Sequence, residues 1–249
     1  GSFGALGRTG SWIFAAIAVV AVVWGVVRGR KARTLHGFQQ RPVWAEWFMG
    51  GLICAIILGA TAIVNSYIWP KGNIKKYYDQ LGLPVPDGAE FGHGYAYPVL
   101  ILIVVAIFMT VLMTRTRFGR YVFAIGGNPE AAALSGINTR TMTVKIFTLM
   151  GALAGIAAVI GSARQNSATN AMGNLDELYV IAAAVVGGTS LAGGVGTVYG
   201  AIIGALILTS LQTGMVLIGF GDGSYQRIVI GIALVLAVWL DIVYRKRLK

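Results

Sequence analysis

Apolar runs of bilayer length recur along the whole chain, and their spacing leaves few folds open to it. A bilayer core of about 30 Å takes about twenty apolar residues as a helix. Seven runs approach that length, at 11–27, 47–69, 98–114, 146–162, 179–192, 198–217 and 228–244. The fifth is short, which predicts a tilted or broken span. The first lacks the polar face of a surface helix and the basic leader of a signal peptide, so it reads as a span. The pattern predicts an all-α fold, a polytopic integral membrane helix bundle of about seven transmembrane helices. It forms one transmembrane domain over 1–249, with a cytoplasmic segment at 115–145.

Charge gives the orientation. Charged residues make up 12% of the chain, against about 25% in soluble domains. Of twenty Lys and Arg, five lie in 28–45, five in 115–145 and four in 245–249. These clusters alternate with the spans in the positive-inside pattern. They place 28–45, 115–145 and the C-terminus in the cytoplasm, and 70–97, 164–178, 218–227 and the N-terminus outside. All three clusters agree with seven crossings. The net charge of +11 does not point to nucleic acid, which needs a basic face with aromatic platforms on a water-soluble body. The opening Gly1-Ser2, without an initiator Met, reads as a fragment boundary or a cloning scar. Further sequence is expected upstream.

Between the third and fourth runs lies a polar island from Thr114 to Ile137 that contains a complete short helix. Asn128 is a good N-cap, and Pro129 falls at the first helical position, where its missing N–H costs nothing. Glu130 suits the positive end of the helix dipole. Ala131, Ala132 and Ala133 carry the helix, and Gly136 can take the left-handed conformation that ends it. A helix of about two turns is not stable alone in water, so it must pack on its own bundle or on another protein.

The spans hold almost no charge: Glu46, Asp176, Glu177 and Asp241 sit at their ends. This disfavours proton- or sodium-coupled carriers, whose relays need intramembrane ionisable groups. No phosphate-binding G-x-x-x-x-G-K-[ST] loop is present. His36 and His93 fall in different compartments, and Cys54, the lone cysteine, lies in an apolar run. No catalytic residue, metal or cofactor is expected. Asn65, Ser66, Thr148, Thr209, Ser210 and Gln212 either line a path for a polyhydroxylated solute or hydrogen-bond between helices. The external segment 70–97, with Lys71, Lys75, Lys76, Asp79, Asp87, Glu90, Pro84 and Pro86, reads as a solvated loop. Its Tyr77, Tyr78, Tyr95 and Tyr97 suit the headgroup level. The sharper alternative is that it meets a soluble partner.

Small residues are abundant instead. Gly151 and Gly155 are spaced by four, as are Gly196, Gly200 and Gly204. Such spacing lets helices approach closely in a bilayer. The run Gly187-Gly188-Thr189-Ser190-Leu191-Ala192-Gly193-Gly194-Val195-Gly196 reads as a tight turn or re-entry between two helices.

Two blocks carry a resemblance. The first is Thr116-x-Phe118-Gly119-Arg120, Ala124-Ile125-Gly126-Gly127-Asn128 and Glu130-Ala131-Ala132-x-Leu134-Ser135-Gly136-Ile137. The second is Ile181-Ala182-Ala183 with Val186-Gly187-Gly188-Thr189-Ser190-Leu191-x-Gly193-Gly194-x-Gly196. In order and separation they resemble the signatures of sugar ABC-importer permeases of the ribose/xylose type, over about residue 98 to the C-terminus. The basic segment at 28–45 is similar to one in the D-xylose permeases. The family usually has more spans upstream, so the chain resembles the C-terminal part of a permease.

The resemblance implies a division of labour in the bacterial inner membrane. A periplasmic binding protein delivers the sugar, two permease copies form the path, and a separate ABC ATPase drives the cycle. Segment 115–138 would be the coupling element, its helix seated in a groove of the ATPase. Gly119, Arg120, Gly127, Asn128, Pro129, Glu130, Ala131, Ala132, Ser135 and Gly136 would build it, the alanines offering a thin docking surface. Arg115, Arg117, Arg120 and Arg140 would pair with ATPase carboxylates or lipid phosphates, or act through topology alone. Gly187, Gly188, Thr189, Ser190, Gly193, Gly194, Gly196 and Gly200 would serve helix packing or the path. Two rivals stay open: a channel or ion-coupled carrier, and a structural membrane subunit of a larger complex. Neither explains both blocks.

Overall fold

The computed structural model describes residues 5–35, 42–68, 94–165, 167–170, 172–220 and 223–247, with isolated positions between 72 and 84. Much of the external segment, including Lys71, Lys76, Tyr77, Pro86, Asp87, Glu90 and His93, lies outside the described residues, as does His36. The elements are α1 (Gly7–Leu35), α2 (Val43–Ser66), α3 (Tyr97–Arg115), α4 (Arg117–Gly127), α5 (Pro129–Leu134), α6 (Thr139–Gln165), α7 (Asp176–Val186), α8 (Val198–Leu217) and α9 (Gly223–Arg247). Among the described residues no strand forms; isolated bridge residues occur, as where Ala5 meets Ala96. The all-α expectation holds.

Among the described residues, five helices are long and apolar enough to cross a bilayer: Gly7–Lys31 within α1, then α2, α3, α6 and α8. The most apolar 18-residue stretches of α3 and α6 bury no residue. Such surfaces suit lipid or neighbouring apolar protein and would not stay in water. The run at 228–244 falls inside α9, which has 25 residues. The run at 179–192 behaves differently. Its helix stops at Val186, and 187–197 are turns and extended chain. At 1.5 Å per residue, the eleven residues of α7 span about half of a bilayer core.

The chain divides into two compact units, Gly1–Leu102 and Ile103–Lys249, with the boundary inside α3. In the first unit α1 packs on α2. At one end Arg30 stands 4.0 Å from Glu46. At the other, Tyr95 acts as a clasp. Its N–H donates to Ser11 Oγ at 2.8 Å and its carbonyl accepts from the Leu6 N–H at 2.9 Å. Its hydroxyl lies 2.8 Å from Thr61 Oγ1, and its ring meets Phe14 edge-on at 5.8 Å. Ser11 and Thr61 are fully buried. Each also donates to a carbonyl one turn back, Gly7 and Ile57 respectively, so both buried hydroxyls are satisfied.

The second unit is built around α7, which packs on α8 and on α9. Its core is Ala182, Leu208 and Ile230, with Tyr179, Val186 and Leu234 against it. Glycine makes this packing possible. A Cβ at Gly204 would run into the Ala183 carbonyl, and one at Gly187 into that of Gly200. Gly200 and Gly204 thus seat α8 on α7, as small residues do in bilayers. Gly151 and Gly155 on α6 have nothing within 4 Å of such a Cβ.

Candidate functional site

Segment 115–138 is a chain of three locally specified corners. At the first, Thr116 Oγ1 accepts from the Gly119 N–H at 3.4 Å and donates to the Leu112 carbonyl at 2.6 Å. Gly119 is buried, and a Cβ there would collide with the Met113 carbonyl. This lets α4 fold back tightly at the end of α3. The sequence reading missed α4 as a separate helix. Its signal is an amphipathic stripe: Phe118, Val122 and Ile125 are half-buried, while Arg117, Arg120, Tyr121 and Ala124 are exposed.

Asn128 makes the second corner. It ends α4, its N–H donating to Ala124 at 3.1 Å, and it starts α5. Its Oδ1 accepts from the N–H groups of Glu130 and Ala131, at 3.0 Å each. Pro129 holds the first helical position and Glu130 the first turn. The third corner closes α5. Ile137 N–H donates to Ala132 at 3.1 Å and Gly136 N–H to Ala133 at 3.0 Å, with Gly136 at φ 87. This is a Schellman ending, in which the left-handed residue is best a glycine. Ser135 Oγ donates to Ala132 at 2.8 Å. Asn138 Oδ1 then accepts from the Thr141 N–H at 3.0 Å, at the start of α6.

The three alanines do not share one surface. Ala132 turns inward and is 5% exposed, whereas Ala131 and Ala133 face out. Leu134, beside them, is 90% exposed. An apolar side chain left that bare on a capped six-residue helix is unusual, and the sequence reading did not single it out. Arg115, Arg117, Arg120 and Arg140 are exposed and form no ion pair within 4.0 Å among the described residues.

The second block is a capped glycine loop. Gly188, at φ 89, ends α7: its N–H reaches Val185 and that of Thr189 reaches Ala184, both at 2.9 Å. Ser190 is buried, its Oγ accepting from the Ala192 N–H at 3.1 Å and its N–H donating to Val195 at 3.0 Å. Thr197 caps α8 through the Gly200 N–H at 3.1 Å. A Cβ on Gly196 would sit 3.0 Å from the Thr189 side chain.

The two blocks meet. Gly193 lies so close to the Gly126 carbonyl that a Cβ on it would overlap that oxygen. A Cβ on Gly126 would stand 2.7 Å from the Gly194 nitrogen, and one on Gly194 would stand 3.0 Å from the Gly127 Cα. Bare backbone thus touches bare backbone where α4 passes to α5. Gly126 was not among the site residues read from the sequence; its pairing with Gly127 was the available signal.

Fold and site together define a polytopic membrane protein that carries a doubly capped helix at one face, braced by a glycine loop from its central hairpin. The chain belongs to the family described as branched-chain amino acid transport system / permease component, which matches residues 3–238. It is 38% identical over 237 residues to the xylose transport system permease protein XylH of Haemophilus influenzae, covering 95% of this chain and 56% of that one. It is 44% identical over 231 residues to the ribose import permease protein RbsC of Escherichia coli, covering 90% and 69%. It is 39% identical over 178 residues to the galactose/methyl galactoside import permease protein MglC of Haemophilus influenzae, covering 66% and 53%. These relatives bear out the resemblance drawn from the two blocks. The chain spans about half the length of the xylose permeases it matches. No solved structure matches it.

Proposed function

We propose that this chain is the membrane-spanning part of an ATP-driven importer of a monosaccharide, D-xylose above others, in the bacterial inner membrane. A separate ABC ATPase would bind α5 from the cytoplasm, with the C-terminus on the same side. A second permease copy and a periplasmic sugar-binding protein would complete the assembly. The observation that carries this reading is the form of α5. It is locked at both ends by its own side chains and backbone, yet it leaves Leu134 bare. A rigid peg with an apolar tip suits a groove in a partner, because little order is lost on docking. Movement of the ATPase would pass to α6 through Asn138, and to the α7–α8 hairpin through the contact of Gly126 with Gly193 and Gly194. The relatives' names support the substrate class.

Two substitutions test the coupling without touching the sugar path. Leu134→Asp strips the apolar tip, and Glu130→Lys puts a positive charge against the helix dipole. Each should lower ATP-driven D-xylose uptake by about tenfold or more, as loss of an interface anchor worth about 2 kcal/mol implies. The amount of chain in the membrane should not change. Wild-type uptake by both variants would refute the assignment of α5.

A further inference from the structure

At the end of the bundle away from the glycine loop, α7 stops short of α8. The two run antiparallel, with Gly187 against Gly200, Ala183 against Gly204 and Tyr179 in the cluster of Leu208. This register brings the first residue of α7 level with Leu211, next to Gln212. Because α7 has eleven residues and α8 twenty, and α9 begins alongside at Gly223, a gap is left. It is a cavity of about 500 Å³, whose polar lining is Asn174, Asp176, Tyr179, Thr209, Gln212 and Arg227. That volume falls within the range of about 300–1,000 Å³ usual for small-molecule sites.

The lining is unlike the rest of the hairpin, since α8 carries no charged residue at all. A carboxylate, a guanidinium, two carboxamides, a hydroxyl and a phenol converge on one space. Asp176 and Arg227 both border it, yet no ion pair within 4.0 Å joins them. Arg227 is held by its own backbone, Nε donating to the Gly223 carbonyl at 3.0 Å. Thr209 donates to Ala205 at 2.7 Å, which leaves its lone pairs for an incoming hydroxyl. The side chains of Asn174, Asp176 and Gln212 make no hydrogen bond among the described residues.

This chemistry selects its occupant. An anion would meet Asp176 and a cation would meet Arg227. An apolar ligand would leave the carboxylate, the guanidinium and the carboxamides it covers without hydrogen-bonding partners. A neutral polyol satisfies all of them, because each hydroxyl both donates and accepts. Tyr179, which also packs on the Leu208 cluster, adds an aromatic ring to the lining. We propose that this cavity is a monosaccharide subsite within the permease, at its outer end, holding the sugar between delivery and passage. The proposal rests on the transport reading above and adds the residues that contact the sugar.

The test uses the complete importer in cells, with radiolabelled D-xylose and D-galactose. Gln212→Ala and Asp176→Asn should each lower the maximal uptake rate by about tenfold, as loss of one hydrogen-bonding partner implies. Membrane abundance and sugar-independent ATPase activity should stay at wild-type values. In a Cys54→Ser background, a neutral maleimide added from outside should label Gln212→Cys, and saturating D-xylose should slow that labelling. Unchanged uptake in both variants would overturn the subsite. So would labelling that sugar does not slow, and this second readout decides the matter if either uptake variant is lost from the membrane. If the wild-type chain takes up sugar and Leu134→Asp abolishes it while Asp176→Asn does nothing, the cavity fails and the transport reading stands. If the wild-type complex takes up no sugar, both fail.

Discussion

Gly204→Ala adds one methyl group to a close helix contact of the second unit. Its Cβ would enter the Ala183 carbonyl and stand 2.8 Å from the Gly187 nitrogen. That nitrogen already donates to the same carbonyl at 2.9 Å, so neither atom can move aside without breaking the end of α7. The whole helix must therefore shift, by about 1 Å. A gap of that size forfeits a quarter to a half of each contact, about 0.1–0.2 kcal/mol per atom pair. Summed over the contact between α7 and α8 the loss is on the order of 1 kcal/mol. Overpacking of this kind costs about 1–3 kcal/mol where measured. Gly214→Ala on the same helix is the control, because its Cβ would meet nothing within 4 Å. Both variants gain the same helix propensity. Unfolding of the purified chain by SDS titration, followed by tryptophan fluorescence, should show Gly204→Ala less stable by about 1–3 kcal/mol and Gly214→Ala no less stable than wild type. Equal midpoints for the two would refute the argument that backbone contact governs this interface.

Two further outcomes follow from the geometry of the coupling segment. Asn128→Ala removes an oxygen that serves two N–H groups; at about 1 kcal/mol per cap, amide exchange at residues 130–134 should quicken by about fivefold, and unchanged exchange would show the cap to be idle. Ala133→Cys in a Cys54→Ser background should be labelled by an impermeant thiol reagent only in inside-out vesicles, and labelling of intact spheroplasts would reverse the proposed orientation.

The parts of this protein that could be read in advance are those whose physics is local. Asn128, Pro129 and Gly136 each act on backbone groups within four residues of themselves, so their order along the chain already spells a helix with both ends closed. The membrane spans were legible because a lipid core demands about twenty apolar residues together. The hairpin turn at 187–196 showed in its glycines. The stop of α7 at Val186 was harder, since the fifth apolar run reads as extending to Ala192. What ends the helix is the left-handed Gly188 and its two backbone bonds, which hydropathy does not register. The helix α4 was obscured in the same way, its amphipathic stripe being short and interrupted by exposed Phe123.

Other features needed the fold. Three consecutive alanines look alike in a sequence, yet α5 turns Ala132 inward and leaves Leu134 bare, because its contacts with α4 and α6 set its rotation. Gly126 and Gly193 stand 67 positions apart, and glycine carries no side chain whose pattern could announce a partner. The polar cavity at the N-terminal end of α7 arises from a difference in helix length combined with an antiparallel register, neither of which any one residue records. The amino-acid sequence alone determined that the chain crosses a bilayer, where its basic clusters fall and where a short capped helix stands between spans, because those properties depend on neighbours along the chain. Which glycines touch, which alanine is hidden and which polar groups enclose a common space were decided only by the tertiary structure, because they depend on distances between segments that the order of residues does not contain.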